Sequence, residues 1–120
     1  MKIEQLKGEF AVCRLKQKAF PEGGFVSLTV CDDEISLVCE ADKTPPDCVA
    51  EANWAALRIA GTLDFSLVGV LAGLTDILAT AGVSVFAIST YNTDYLFIKI
   101  KNLECAKKAL EAGGHTIIVL

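Results

Sequence analysis

A chain of 120 residues is long enough for one domain, or for two small ones sharing a core, because at that size roughly two-thirds of the unfolded surface can be buried. Hydrophobic residues make up 52% of it and charged residues 22%, which excludes a disordered chain. A formal net charge of −4, with eleven Lys and Arg spread along the sequence, excludes a dense basic surface for nucleic acid or an anionic membrane. The closest basic grouping in the first half, Arg14, Lys16 and Lys18, alternates along a strand end and its loop and reads as a solvated edge.

Met1 to Gly8 is polar enough to be a lead-in, and FAVCRL (Phe10 to Leu15) reads as the first strand. Lys16 to Gly24 contains Pro21 and Gly23-Gly24 and is a loop. FVSLTV (Phe25 to Val30) and EISLVCE (Glu34 to Glu40) are strands joined by a hairpin turn at Cys31-Asp32-Asp33. Alternation puts Val26, Leu28 and Val30 on one face, and Ile35, Leu37 and Cys39 on one face of the partner strand. Ala41 to Asn53 holds Pro45-Pro46 and several acids, which suits a linker or surface loop with a helical turn over Asp47 to Ala52.

Trp54 to Ala60 is a strand with Leu57 and Ile59 inward and Arg58 opposite. Gly61 to Ser66 then turns into a helix over Leu67 to Ala81, where Leu67, Val70, Leu71, Leu74, Ile77, Leu78 and Ala81 recur at helical steps. Gly69 and Gly73, four residues apart, form a small-residue stripe that suggests close packing. Gly82 ends that helix. Val83 to Ser89 and Tyr95 to Ile100 are strands around the turn Thr90 to Asp94, with Leu96, Ile98 and Ile100 inward. Asn102 caps a second helix, Leu103 to Ala112, and HTIIVL supplies a last strand.

Five cysteines (Cys13, Cys31, Cys39, Cys48 and Cys105) include no CxxC, and the single His115 lies ten residues from the nearest of them, so zinc and redox motifs fail on spacing. No metal or other cofactor is expected. Cys13, Cys31 and Cys39 lie in or beside apolar strands, where a free thiol behaves as a small buried hydrophobe, and a reducing cytoplasm is the simplest setting. Met1 to Glu9 has no apolar run, so no secretory signal is expected. Leu67 to Ile88 is long enough for a membrane helix, but Asp76 falls near its centre and Ala81-Gly82 breaks it before VSVF, so no membrane span is expected.

From Trp54 onward the order is βαββαβ, which predicts two crossover helices on one face of a four-stranded antiparallel sheet, the ferredoxin-like arrangement. The first half gives strands with little helix, as if the same unit had lost its helices. The expected fold class is therefore α+β, built of two ferredoxin-like units, the helix-poor one over residues 1–53 and the full one over residues 54–120.

LDFSLVGVLAGLTDILATAGVSVFAISTYNTDYLFI, together with DDEISLVCE and FAVCRL, resembles the small bacterial proteins built from tandem ACT units. These are similar in turn to the regulatory ACT domains of aspartate kinase and to the animal cytosolic arginine sensor. The resemblance implies non-catalytic binding of an amino acid or similar small metabolite, often at an interface between ACT units, and a homodimer as the assembly. It places ligand contacts at the strand-to-helix turn, here Gly61, Leu63, Asp64, Phe65, Ser66 and Gly69. Facing them it sets the strand-turn-strand segment of a neighbouring unit, here Ser89, Thr90, Asn92, Thr93 and Asp94. The first half departs from the family's pattern in having no clear Gly-rich strand-to-helix turn for a second site.

The residues themselves offer the matching chemistry. Free amides at a helix start, near Phe65 to Leu67, suit a carboxylate, Asp94 and Asp64 suit an ammonium, and Ser89, Thr90, Asn92 and Thr93 offer neutral hydrogen bonds. The same residues serve equally well if Asp64 and Ser66 only cap the helix and Asn92 to Asp94 only make a turn. Two other classes stay open. A ligand-free association module would pair chains through sheet edges and the Gly stripe. An acylphosphatase-like enzyme shares the architecture, but it wants an Arg in the turn, and Gly61 to Ser66 has none.

Overall fold

The computed structural model describes residues 1–64 and 67–120, with two compact units in the chain. One comprises Gly8–Trp54; the other joins Met1–Lys7 to Ala55–Leu120. The seven N-terminal residues thus pack with the C-terminal part of the chain, not with the N-terminal unit in which the sequence placed them.

In the Gly8–Trp54 unit, β2 (Phe10–Leu15), β3 (Val26–Val30), β4 (Ile35–Glu40) and the first part of β5 (Val49–Ile59) form an antiparallel sheet in the order β3-β4-β2-β5. The β3–β4 hairpin closes at the expected turn, where the Cys31 amide donates to the Glu34 carbonyl (2.9 Å). Ala11, Cys13, Leu15, Leu37 and Cys39 form the core, and Ala19, Ala41 and Cys48 from connecting segments pack on it. No α-helix lies among the described residues of this unit. Burial pushes the Cys13 thiol up to about 12 and raises Cys39 as well, which fits inert core thiols. Cys31, expected to be buried, is exposed.

The end of the segment read as a linker, from Val49 to Asn53, is strand. Only Ala41–Lys43 forms a helical turn, of the 3-10 kind, and β5 starts at Val49, so the expected helical turn over Asp47 to Ala52 is absent. Phe10 pairs with Trp54 and Val12 with Glu51, which leaves one extra residue in β5 and makes a bulge. Asn53 takes it up with a left-handed backbone, φ 70°, while its N–H donates to Glu9 Oε2 (3.2 Å). Asn tolerates that conformation better than most residues.

The second unit begins with β1 (Lys2–Gln5), read from sequence as a lead-in. It pairs antiparallel with β5 (Ile3 with Ile59) and parallel with β8 (Thr116–Val119; Ile3 with Ile117). The sheet order here is β6-β7-β5-β1-β8, where β6 is Val85–Ser89 and β7 is Asp94–Lys99. The expected four-stranded antiparallel sheet is therefore five-stranded, with an inserted strand and one parallel pair. Across β1 and β5, Glu4 pairs with Arg58 (2.8 Å), whose guanidinium also lies 5.9 Å from the Tyr95 ring centroid. Hydrogen bonds to Tyr95 and Glu4 raise the pKa of Arg58.

Helices α1 (Val70–Thr80) and α2 (Leu103–Ala112) cover one face of this sheet. Leu74, Leu78, Ala106 and Leu110 pack against Ile3, Leu57, Ile59, Leu96 and Ile98, all at most 1% exposed. Ile100, expected to face inward, instead sits in a 3-10 turn and is 42% exposed. Asn102 precedes α2 but makes no side-chain cap bond. The C-terminus of α1 closes as expected: Gly82 is left-handed (φ 75°) and lets the Val83 amide reach the Leu78 carbonyl (2.9 Å).

The start of α1 differs from the expectation. Leu67 and Val68 are exposed and precede the helix, which begins three residues later at Val70. The predicted close approach at Gly69 and Gly73 does not occur: a Cβ at either position would meet open space.

Candidate functional site

The β5-to-α1 connection and the β6–β7 turn come together in one unit because two hydrogen bonds tie them. The Leu63 amide donates to the Asn92 carbonyl (2.6 Å), and the Thr93 hydroxyl donates to the Ile59 carbonyl (2.8 Å). Thr93 is the one buried polar side chain among the described residues, at 7% exposure. Its hydroxyl fixes the last carbonyl of β5 to the turn. Thr93→Val keeps the shape and leaves that carbonyl unpaired, so we expect a loss of ~1–3 kcal/mol in urea unfolding, with Thr93→Ser retaining most of the stability. A Thr93→Val variant as stable as the parent would show that this tie does not hold the turn.

The β6–β7 turn is itself closely bonded. The Thr90 amide and hydroxyl both donate to the Thr93 carbonyl (2.8 and 3.0 Å), and the Ser89 hydroxyl donates to Asp94 Oδ1, its cross-strand partner. On the other side, the Leu67 amide donates to the Asp64 carbonyl (3.0 Å), and Gly69 at φ 80° turns the chain into α1. The Gly69 carbonyl accepts the first intrahelical bond, from Gly73 (2.9 Å). In α-helical geometry the amides of Val70, Leu71 and Ala72 then have no intrahelical acceptor, and Gly69 at the N-cap has no side chain to offer them.

These two segments enclose a cavity of about 250 Å³. Of the residues expected at a site, Leu63, Asp64, Gly69, Ser89, Thr90, Asn92, Thr93 and Asp94 line it. Gly61 does not, and Phe65 and Ser66 lie outside the described residues. Leu67, Val70, Leu71, Ala72 and Tyr91 line it as well. The helix starts later than its apolar period suggests, so the helix-start residues at the cavity are Val70 to Ala72. Tyr91, inside the ISTYNTDY motif, is 81% exposed. The resemblance implied a facing segment from a neighbouring unit; here both segments belong to the same unit. Gly69 holds the N-cap position of α1.

The described lining carries two carboxylates and no Lys, Arg or His. It offers helix-start amides, where the peptide dipoles favour an anionic group, together with acceptor oxygens. That pairing suits a small zwitterion. Among the described residues no group of His, Cys, Asp and Glu is arranged to hold a metal ion, and no helix is long and apolar enough to cross a membrane.

A profile of the ACT domain matches residues 49–112, and a second profile, described as an N-terminal domain, matches residues 8–47. No curated protein sequence matches the chain. Among solved structures, a protein from Agobacterium tumefaciens is similar at 31% identity over 99% of this chain and 92% of that one, with a TM-score of 0.90. A protein of unknown function from Vibrio cholerae is similar at 20% identity over 92% and 88%, with a TM-score of 0.75. The ligand-free regulatory subunit of aspartate kinase from Thermus thermophilus is similar at 12% identity over 88% and 92%, with a TM-score of 0.63. The last two show a common fold.

Proposed function

We infer that this chain, which belongs to the ACT-domain family, is a non-catalytic regulatory module that binds a small molecule, an amino acid, in the cavity between the β5–α1 connection and the β6–β7 turn. The observation that carries the reading is the cavity itself, lined by the start of α1 at Val70 to Ala72 and by Asp64 and Asp94. An α-amino acid requires donors for its carboxylate and acceptors for its ammonium, and both stand in one small cavity. At about 250 Å³ it lies just below the ~300–1,000 Å³ range of drug-sized pockets. The aspartate kinase regulatory subunit, whose fold this chain shares, lends support to a regulatory role.

Binding transmits a signal only when the ligand prefers one of two states of the protein, such as one assembly or partner-bound form over another. A second copy of the chain is the partner that the surface favours. Leu67, Val68 and Tyr91, exposed by 53%, 94% and 81%, lie in or beside the lining segments, and a homodimer would cover apolar groups of that kind. The same observation supports the second reading, an association module without ligand. An acylphosphatase-like activity is disfavoured because neither Arg14 nor Arg58 lines the cavity. Five free cysteines suit the reducing cytoplasm.

Thermal unfolding with each of the twenty amino acids at millimolar concentration tests the proposal. A ligand at 100 times its Kd adds ~2.7 kcal/mol of stability. We expect one or two amino acids to raise Tm and the rest to leave it unchanged. No shift across the panel would contradict amino-acid binding and favour the association module.

A further inference from the structure

We propose that Cys13 and Cys48 form a redox-responsive pair, which a peroxide closes to a disulfide between β2 and the loop before β5 and which a thiol reductant reopens. The cysteines are scattered in sequence, yet three of them converge on the core of the Gly8–Trp54 unit: Cys13 and Cys39 belong to it, and Cys48 packs against it. Strand register explains the meeting. Cys13 on β2 stands opposite Leu37 of β4 and Ala50 of β5. Cys39 lies two residues after Leu37 and Cys48 two residues before Ala50, so all three side chains share one face, with Cys13 diagonal to both others. After burial itself, the neighbouring Cys48 and Cys39 thiols help to push the Cys13 thiol up to about 12.

The three sulfurs differ in access and in freedom. Cys13 is 2% exposed and Cys39 0%, and each stands in a strand paired on both sides, where a bridge between them would have to shift a ladder. Cys48 is half-buried and precedes Val49, the first residue of β5, on a loop that turns through Asp47 at φ 59°. Its thiol donates to the Pro45 carbonyl (3.1 Å), a contact within that loop. A small oxidant therefore reaches Cys48 first, and the loop adjusts when Cys48 bonds to Cys13. The Cys48 thiolate attacks the peroxide O–O bond, takes one oxygen as sulfenic acid and releases hydroxide, which leaves as water with the proton Cys48 had lost. The Cys13 sulfur then attacks the Cys48 sulfur, the S–O bond breaks, and the departing hydroxide takes the Cys13 proton as a second water. Two thiols and one hydrogen peroxide thus become one disulfide and two waters, with two electrons passing from sulfur to oxygen. In a reducing setting the pair rests as thiols, and the bridge is of the transient, redox-sensing kind.

The test treats the intact chain with hydrogen peroxide, in a background where the exposed Cys31 and Cys105 are both replaced by Ser. Remaining thiols are then blocked with N-ethylmaleimide in denaturant, and intact mass and peptide mapping locate them. We expect a product lighter by two hydrogens, cross-linked between Cys13 and Cys48, with Cys39 alone taking the label. Its Tm should exceed that of the reduced chain, because the bridge removes freedom from the unfolded state, and dithiothreitol should reverse both changes. Cys48→Ala and Cys13→Ala should each abolish the bridge, and Cys39→Ala should leave its yield unchanged. Where Cys13→Ala fails to fold, Cys48→Ala, at a half-buried position, still decides. Three labelled thiols after peroxide would overturn the proposal, as would a bridge between Cys13 and Cys39, or Cys48 oxidised to sulfinic acid with Cys13 still free. A bridge that survives Cys48→Ala would overturn it as well.

Discussion

Replacing Ile3 with Ala is expected to cost ~2–5 kcal/mol, the range for truncating a fully buried aliphatic side chain. Ile3 is 0% exposed and packs with Leu57, Ile59, Leu74, Leu78 and Leu110. It sits on β1, paired on one side with β5 and on the other with β8. Its loss opens a cavity beneath a strand that is paired on both sides, where the backbone has little freedom to collapse. At ~4 °C per kcal/mol for a chain of this size, Tm should fall by roughly 8–20 °C. Lys2→Ala, on an exposed position of the same strand, should leave Tm nearly unchanged. If Ile3→Ala were as mild as Lys2→Ala, β1 would be a dispensable lead-in and the sheet order described here would be wrong.

Phe97→Ala should be comparably severe, ~3–5 kcal/mol. Phe97 is 0% exposed on β7, directly opposite Phe86 of β6, and their rings stack with centroids 4.8 Å apart and planes 10° apart. An aromatic pair adds ~0.5–1.5 kcal/mol beyond its buried area. Leu96 and Ile98, its neighbours in sequence, point to the opposite face and the helices. β7 is therefore apolar on both faces at its centre. Phe97→Leu retains most of the buried area, and its cost should be less than half that of the Ala variant in guanidinium unfolding. Equal costs would assign the stability to ring stacking alone, and a negligible cost for Ala would show that the second face of the sheet is not a packed surface.

The second of these effects was hidden in the sequence for a simple reason. In LFIKI the charged Lys99 follows Phe97 on the same alternation, so the pattern reads as one apolar and one wet face. Tertiary packing buries Phe97 regardless. β1 was illegible for a different reason: four residues with a single aliphatic carry too little periodicity, and a partner, Thr116–Val119, lies at the far end of the chain. The first part of β5 was concealed by Glu51 and by Asn53, whose left-handed backbone and bulge look like loop chemistry. Where apolar residues recur at a clear period and glycine or paired acids mark the ends, as in the β3–β4 hairpin, α1 and α2, sequence and structure agree on the elements.

The candidate site divides in the same way. Polar residues bracketed by apolar runs mark Leu63, Asp64 and Ser89 to Asp94, and the structure brings these residues to one cavity. The helix start was displaced because apolar Leu67 and Val68 extend the helical period beyond the point where Gly69 turns the chain. As a result the helix-start amides facing the cavity are those of Val70 to Ala72, and Gly61 falls outside the lining.

The central claim, that the cavity of the C-terminal unit is the ligand site, is tested most directly by titrating 15N-labelled protein with the amino acid that raises Tm and following backbone amide shifts. Saturable changes concentrated at Val70, Leu71 and Ala72 and at Asn92 to Asp94 are expected, with the Gly8–Trp54 unit changing least. Saturable changes centred on the Gly8–Trp54 unit, with the α1 start and the β6–β7 turn unmoved, would contradict it.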